Sequence, residues 1–367
     1  MTVPATSPTT TRPTFHRLPV AAVEECGADA VAISFEVPPP LRPAYAFTPG
    51  QHLTLRAEVD GVDLRRSYSI CSPPSWSART GRLRVGVKRL PGGAFSEWAC
   101  GLRPGRSVDV LTPLGGFGAG SLTGSGHAVG AAAGSGVTPV LCLLAATLER
   151  GARATLLLGN RSTASVMLLE ELQDLKDRYP SRFQLVHVFS RERQDADLLT
   201  GRIDAERLPR LLSAFVGDVP VVHAWYLCGP FGLVTEARAV LTAAGAAAER
   251  VHTELFFVED GPPPPPPVVE GTGADGAVEV VVTLDGRSTT LRADPRVDTI
   301  LAALRRSRPD VPFSCTGGMC GTCRVRVLEG RVRMDRNYAL QAEDLARGVV
   351  LACQSRPTTA RVVITYE

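Results

Sequence analysis

The sequence predicts a multidomain fold in which an antiparallel β-barrel is followed by an α/β doubly wound domain and then by a smaller α+β domain. Its 367 residues suit two or three domains of about 100–200 residues each. Short alternating strands fill the first part, β and α patterns alternate in the middle, and six consecutive prolines precede the last part. We expect a disordered N-terminus at residues 1–13 and three domains at residues 14–123, 124–258 and 278–367. A Pro-rich linker at residues 259–277 separates the second domain from the third.

Local patterns support each domain. Alternation in the barrel predicts strands at 31–37, 52–59, 83–90 and 107–114. The second domain has strand patterns at 128–133, 154–158, 184–189 and 225–228, and helical patterns at 140–149, 165–178, 205–215 and 231–244. The third has a hairpin over 278–292, a helix at 299–306, two further strands and a last strand at 361–366. The alternation of β and α in the second domain favours a parallel sheet.

Composition and charge exclude several classes of protein. With 44% hydrophobic residues, 21% charged residues and a net charge of +3, the chain resembles neither a fibre, a disordered protein nor a nucleic-acid binder. Residues 110–148 carry no formal charge, but nine glycines interrupt them, so a buried strand, loop and helix explain the stretch better than a membrane span. Nine cysteines in a long chain without a signal-peptide core predict a cytoplasmic protein with no membrane association.

Four cysteines give the most specific pattern. Cys315, Cys320 and Cys323 form C-x4-C-x2-C, and Cys353 follows thirty residues later. This is the plant-type spacing of a [2Fe–2S] cluster held by four thiolates, and three glycines in the loop supply the backbone freedom that the wrap needs. A zinc site or a redox disulfide is the alternative, although zinc sites usually add a second CxxC or histidines, and residues 278–367 contain no histidine.

A second constellation lies in the predicted barrel. Residues 66–69 read RSYS and offer a cation, an aromatic ring and a hydroxyl, which are the groups that a flavin needs at its phosphates, ring face and N5. A following strand ends in a lysine, and a Gly-Gly turn then opens a helix at 96–100 whose free N–H groups suit a phosphate. Each segment alone fits an ordinary strand or turn. The candidate flavin-binding residues are Arg66, Tyr68, Ser69, Lys88, Gly93 and Ser96.

A third constellation lies in the predicted α/β domain. Residues 134–139 (GSGVTP) follow a strand and precede a helix, as a diphosphate-binding turn does, although Pro139 departs from GxGxxG. A Cys-Gly-Pro at 228–230 ends a later strand, where a thiol would flank a nicotinamide or simply be buried. Two strand-end arginines favour NADPH over NADH, unless they are ordinary surface residues. The candidate nucleotide-binding residues are Gly134, Gly136, Thr138, Arg161, Arg191, Cys228 and Gly229.

Taken in order, these constellations resemble the ferredoxin–NADP reductase superfamily, with a C-terminal plant-type ferredoxin domain as in the reductase components of multicomponent oxygenases. FTPGQHLTL, LRRSYSIC, DLLTGRID, HTELF and LACQSRP look like the reductase subunits of phenylacetyl-CoA 1,2-epoxidases, and the ferredoxin motifs also match 3-ketosteroid 9α-hydroxylase reductases. The resemblance covers about residues 15–366. It implies FAD in the barrel, NADP in the α/β domain and a β-grasp fold around the cluster.

The resemblance also implies an activity. Electrons would pass from NADPH to FAD, to the [2Fe–2S] cluster and then to a separate oxygenase component, most simply the di-iron subunits of an epoxidase in aerobic phenylacetate catabolism. Ser69 and Cys228 would flank the reacting flavin and nicotinamide. Two alternatives stay open: the reductase of a Rieske-type steroid or aromatic-ring hydroxylase, and an iron–sulfur redox sensor.

Overall fold

The computed structural model describes residues 13–118, 120–122, 124–256, 267, 277–308 and 310–366. The predictions of a disordered N-terminus and of a Pro-rich linker therefore fall almost entirely outside the described residues. The chain divides into two compact units, one within His16–Gly261 and the other containing Pro262–Glu367. No helix in the described ranges has the length and apolarity needed to cross a bilayer.

The first unit begins with the barrel. Its strands and helices are β1 (Phe15–Glu25), β2 (Ala30–Glu36), β3 (His52–Val59), β4 (Val62–Ser69), α1 (Pro74–Thr80), β5 (Arg82–Lys88), α2 (Ala94–Cys100) and β6 (Ser107–Leu111). The strands lie in the order β4-β3-β6-β1-β2-β5, and an antiparallel bridge from Ile70 to Val85 joins the two outer edges. Phe35, Leu53 and Leu83 fill the interior, so the alternation that predicts the strands reflects burial inside the barrel.

The nucleotide-binding part of this unit is a parallel sheet with helices on both faces. Its elements are β7 (His127–Ala133), α3 (Val137–Glu149), β8 (Arg153–Asn160), α4 (Leu169–Arg178), β9 (Phe183–Phe189), α5 (Arg207–Phe215), β10 (Ala224–Gly229), α6 (Phe231–Ala243) and β11 (Val251–Leu255). The order β11-β10-β7-β8-β9 reverses between β7 and β10. Because connections diverge at such a reversal, a crevice forms at the carboxyl ends of these two strands.

A seam joins the barrel to the nucleotide-binding part. The backbone N–H of Leu168 donates to the Cys26 carbonyl at 2.9 Å, and that of Ala28 donates to the Ala164 carbonyl at 2.9 Å. Arg84 on β5 forms ion pairs with Glu24 of the barrel and with Glu171 on α4, at 2.6 and 2.8 Å. One apolar core also draws side chains from both parts. The two predicted N-terminal domains therefore pack as one body.

The second unit is a small mixed sheet with two short helices packed against it. Its elements are β12 (Val278–Leu284), β13 (Arg287–Ala293), α7 (Ile300–Arg305), β14 (Arg324–Glu329), β15 (Val332–Met334), α8 (Ala342–Ala346), β16 (Val349–Leu351), β17 (Ser355–Pro357) and β18 (Arg361–Thr365). The order is β13-β12-β18-β14-β16, with β12 and β18 parallel, and β15 pairs with β17 separately. The prediction of two strands between the cysteine loop and the last strand is wrong, since four short ones lie there.

Candidate functional site

The turn after β7 has the form of a diphosphate-binding turn. Gly134 has φ +55°, and Gly134–Gly136 forms a single 3-10 turn. Helix α3 then begins at Val137, three residues before its predicted start, so Pro139 lies in the first helical turn, where a missing N–H is tolerated. The Thr138 hydroxyl donates to the Ser135 carbonyl at 2.9 Å. The turn therefore leads straight into a helix N-terminus, which favours anions.

The same turn presses against the end of β10. A Cβ placed on Gly136 would lie 2.1 Å from the Cys228 carbonyl oxygen, and one on Gly229 would lie 3.1 Å from the Ala133 nitrogen. Only glycine allows this backbone approach, so the structure brings the 134–138 turn and the 228–229 segment together at the switch point. Cys228 is fully buried, and burial, reinforced by Glu254, raises the pKa of its thiol well above the usual value. Cys228 is therefore a neutral thiol.

A polar pair lies beside this crevice, with Ser69 buried and Glu254 half-buried. Ser69, at the end of β4, donates from its hydroxyl to Glu254 Oε2 at 3.2 Å. Glu254 lies on β11 directly beside Cys228 in the parallel register. Burial raises the pKa of the Glu254 carboxyl to about 8, against the lowering effect of the Ser69 hydrogen bond. Glu254 is absent from the sequence-based candidates, although its signal was present as a single carboxylate in the short strand VHTEL.

The RSYS segment supplies a half-buried aromatic side chain that packs against the barrel core. The Tyr68 ring stacks on Phe95 with centroids 6.2 Å apart, and Phe95 packs against Trp98 at 5.0 Å. Arg66 donates to the Arg65 carbonyl at 2.8 Å. Tyr68 and Arg66 pair with Leu53 and Leu55 on β3, so alternation keeps the two on one face of β4.

The loop before α2 is closed by a serine. Ser96 Oγ accepts from the Leu90 N–H at 3.1 Å and donates to the Gly93 carbonyl at 2.9 Å. A Cβ placed on Gly93 would lie only 2.7 Å from Ser96 Oγ. Helix α2 begins at Ala94 rather than at Ser96 as predicted. Ser96 therefore shapes the loop, since its hydroxyl is already bonded within it.

Two of the cations predicted to bind phosphate, Lys88 and Arg161, lie close to each other near the nucleotide turn. Lys88 Nζ lies 3.6 Å from a Cβ placed on Gly134, beside the nucleotide turn, and burial and then Arg161 lower the pKa of Lys88. Arg161 directly follows β8, and the Arg191 N–H donates to the Arg161 carbonyl at 2.8 Å. The neighbouring carboxylate of Glu192 is engaged by the N–H and hydroxyl of Thr163 at 2.8 and 2.6 Å. The structure therefore brings Lys88 close to Arg161, and the Arg191 backbone lies beside that of Arg161.

The four predicted ligands of the cluster fall into two pairs. The thiols of Cys315 and Cys320 lie together, as do those of Cys323 and Cys353. The Cys320 thiol, the Cys320 N–H (3.4 Å from Cys315 Sγ) and neighbouring N–H groups lower the pKa of Cys315 to about 6. Among the described residues, no three His, Cys, Asp or Glu side chains are grouped as ligands of a single metal ion. Two thiol pairs fit a two-iron cluster with four cysteine ligands.

Comparisons with known proteins agree with this geometry. The family models for an oxidoreductase FAD-binding domain, an oxidoreductase NAD-binding domain and a 2Fe-2S iron-sulfur cluster binding domain match residues 17–118, 131–239 and 282–358. The chain is 41% identical over 358 residues to one of the subunits of the 1,2-phenylacetyl-CoA epoxidase of Escherichia coli (strain K12), covering 96% of this chain and 98% of that protein. The chain belongs to the flavin- and iron–sulfur-dependent reductase components of multicomponent oxygenases.

A steroid monooxygenase component is similar to this reductase over nearly its whole length, and two solved structures share its fold. It is 34% identical over 355 residues to the ferredoxin reductase component of 3-ketosteroid-9-alpha-monooxygenase from Rhodococcus rhodochrous, covering 95% of this chain and 96% of that one. Phthalate dioxygenase reductase matches with a TM-score of 0.53 at 23% identity, covering 98% of this chain and 100% of that one. An intact type IV self-sufficient cytochrome P450 monooxygenase matches with a TM-score of 0.67 at 22% identity, covering 95% of this chain and 41% of that one.

These findings confirm the predicted fold class and the general activity. The reductase is an oxidoreductase with a barrel-type FAD-binding domain, a doubly wound NAD(P)-binding domain and a C-terminal 2Fe-2S ferredoxin domain. The family models do not separate NADPH from NADH.

Proposed function

We propose that this reductase takes electrons from NADPH and delivers them, through FAD and a [2Fe–2S] cluster, to the di-iron oxygenase subunits of a phenylacetyl-CoA 1,2-epoxidase in the cytoplasm. The observation that carries the proposal is the 41% identity to a 1,2-phenylacetyl-CoA epoxidase component over 96% of the chain, against 34% for a steroid monooxygenase reductase. When bound, FAD supplies two-electron chemistry toward the nucleotide and the cluster supplies one-electron transfer toward the partner. None of the nine cysteines forms a disulfide, which suits a reducing compartment.

Residues of the crevice would receive the flavin and the nicotinamide. Ser69 offers a hydroxyl for the flavin N5, Cys228 offers a neutral thiol beside the nicotinamide, and Glu254 orients Ser69 and holds a proton near it. The neutral thiol and the neutral carboxyl add no formal charge to the crevice.

The remaining candidates would hold the phosphates and the flavin ring. Arg66 and Tyr68 lie on the face of β4 that we assign to FAD, and Gly93 and Ser96 shape the loop before α2. The candidates for the NADPH diphosphate and its surroundings are Gly134, Gly136, Thr138 and Gly229.

The choice of NADPH rests on charge. Arg161 and Arg191 follow β8 and β9 at the carboxyl ends of neighbouring strands, where a 2′-phosphate would neutralise part of their positive charge. Lys88, a flavin-binding candidate, lies close to Arg161. NADH offers only a hydroxyl at that position.

The cluster would be held by the two thiol pairs, Cys315 with Cys320 and Cys323 with Cys353. Backbone N–H groups already point at two of the four sulfurs, those of Cys315 and Cys320, as hydrogen bonds to metal ligands do.

Rapid mixing of the holoprotein with NADPH, followed by purified oxygenase components, tests the proposal. We expect the flavin absorbance to bleach first, the cluster absorbance second, and both to recover when epoxidase oxygenase, phenylacetyl-CoA and O2 are added. Recovery with a Rieske-type steroid hydroxylase instead would reassign the partner. Flavin bleaching without any change at the cluster would contradict the relay, and no bleaching at all would favour a redox sensor.

A further inference from the structure

One side chain, that of Gln354, connects the segment of the first candidate cysteine ligand to the segment of the fourth. Gln354 follows Cys353 directly, and its Nε2 donates to the carbonyl of Thr316 at 2.8 Å. Thr316 follows Cys315 directly, so this single amide connects the segment of the first cysteine to that of the fourth across 38 positions of sequence. The same Nε2 lies 3.1 Å from the Cys353 carbonyl, which keeps the amide over the fourth cysteine.

The carbonyl that Gln354 holds belongs to a strained residue. Thr316 has φ +55°, a left-handed conformation that a β-branched residue rarely adopts. Such a conformation persists only where neighbouring groups fix it. The Thr316 side chain is exposed, so packing of that side chain does not supply the restraint, whereas the hydrogen bond from Gln354 does.

Gln354 is itself fixed in place. Its backbone carbonyl accepts from the Asp335 N–H at 2.8 Å, and the buried Asp335 carboxylate holds Arg333 and Arg356 at 2.8 and 3.0 Å. A Cβ on Gly318, within the cysteine loop, would lie 3.0 Å from Gln354 Cγ, so the stem of the glutamine packs on the loop. The amide is therefore preorganised to bond Thr316, as a supporting side chain must be.

We propose that Gln354 is a positioning residue for the iron–sulfur cluster. It holds the left-handed turn at Thr316 and so fixes the first cysteine relative to the fourth. Gln354 acts through Cys315 and Cys353 and supplies no ligand of its own. Loss of its amide donor releases the turn, opens the ligand set and lets the cluster escape. Side chains that orient metal ligands in this way commonly change metal retention by about ten- to a hundredfold.

Four variants of the full-length holoprotein test this role: Gln354→Ala, Gln354→Glu, Thr316→Gly and the double variant Thr316→Gly/Gln354→Ala. Gln354→Glu keeps the shape but turns the donor into an acceptor that faces a carbonyl. Thr316→Gly removes the strain, because glycine adopts positive φ freely. The measurement is the rate at which the cluster's visible circular dichroism decays in excess iron chelator, together with the cluster's midpoint potential. NADPH–ferricyanide activity reports on the intact flavin unit.

We expect Gln354→Ala and Gln354→Glu each to lose the cluster about tenfold faster or more, and to shift its potential, with the flavin activity unchanged. In the Thr316→Gly background, Gln354→Ala should add less than about threefold, because the turn no longer needs the brace. Gln341→Ala is the matched control: it removes a glutamine that caps α8 in the same unit, and it should leave the decay rate within about twofold.

The remaining outcomes are decisive as well. Equal acceleration by Gln354→Ala in both backgrounds would show that Gln354 acts independently of the Thr316 turn, and an unchanged decay rate would show that it does not position the ligands. If the Gln354 variants take up no cluster, the double variant decides: restored uptake supports the brace, and continued failure overturns it.

Discussion

The flavin–nucleotide unit and the ferredoxin unit hold their candidate cofactor residues by different means. In the first, the 134–138 turn and Cys228 end adjacent parallel strands, so hydrogen bonds between β7 and β10 fix their separation. In the second, three cysteines lie in an irregular loop and the fourth follows β16, with a side-chain amide between the segments. A backbone contact has no freedom to relax, whereas a side-chain contact does. The two units should therefore differ in their response to substitution.

In the flavin–nucleotide unit, the largest effect is expected for Gly136→Val. Its Cβ would meet the Cys228 carbonyl at 2.1 Å, and both partners are backbone, so we expect destabilisation by about 3 kcal/mol, as in severe overpacking. Urea unfolding followed by tryptophan fluorescence measures this, and NADPH-driven flavin bleaching should slow with it. Gly232→Ala is the control, since a Cβ there meets nothing within 4 Å. Equal stability of the two variants would refute the close approach.

The charge cluster at the strand ends gives the next effect. Replacing Arg161 and Arg191 together by Ala should lower kcat/KM for NADPH by about a hundredfold, the size expected for two hydrogen bonds to a charged phosphate, and should leave NADH nearly unaffected. Steady-state reduction of ferricyanide with each nucleotide measures the ratio. Arg193→Ala, at a neighbouring position, should change neither. Parallel losses with both nucleotides would argue against 2′-phosphate recognition.

Gly318→Ala tests the ferredoxin unit, where a side chain can move to relieve a close contact. Its Cβ would meet Gln354 Cγ at 3.0 Å and the Arg336 carbonyl at 3.1 Å, at φ +82°. Since one of these neighbours is a flexible side chain, we expect about 1–2 kcal/mol of destabilisation, less than for Gly136→Val. Gly286→Ala has a similar φ of +69° in open space and isolates the backbone strain. Thermal unfolding of the ferredoxin unit, followed by cluster absorbance, gives the difference between the two.

The smallest effect concerns Glu254 and pH. Its pKa in the folded protein, about 8, lies above the ordinary value of 4.5, so between these values the folded state keeps a proton that the unfolded state has lost. The stability of the wild type should therefore fall as pH rises from about 4.5 to about 8 and level off above that. Glu254→Gln should remove this fall, which amounts to about 1 kcal/mol after allowance for the partial exposure of the residue.

Urea unfolding of wild type and Glu254→Gln at pH 5, 6.5, 8 and 9 gives the comparison. Ser69→Ala serves as the control, because it leaves the carboxyl in place and should keep the pH-dependent fall. If the difference between wild type and Glu254→Gln is the same at every pH, the raised pKa is contradicted.

The elements that the sequence predicts well have strong local periodicity. Strand β3 at His52–Val59 matches its prediction, and the hairpin of β12 and β13 differs by one residue, because alternation and an Asp-Gly turn encode them locally. The spacing of the four cysteines likewise predicts a set of four thiolate ligands, and the structure places those thiols in two pairs. Strand β1 (FHRLPVAAVEE) carries a proline and no regular alternation, so it has no such signal.

Contacts between residues far apart in the chain could not be predicted from the sequence. The Ser69–Glu254 pair joins residues 185 positions apart, and it exists only because β11 adds to the edge of β10. The position of Lys88 beside Gly134 depends in the same way on how β5 meets the nucleotide turn. Patterns within one segment predict its conformation, whereas these contacts depend on how separate segments pack.

The seam between barrel and nucleotide-binding part limits how reductases of this kind can be recombined. A chimera with a junction near residue 124 would place foreign chain opposite Cys26 and Ala28, whose backbone groups bond Leu168 and Ala164, and would separate Arg84 from Glu171. A junction within residues 259–277 crosses none of these bonds. The barrel and the nucleotide-binding part should therefore be exchanged together in a chimera. A new coenzyme preference is better introduced by substitutions at the strand ends than by exchanging the nucleotide-binding part alone.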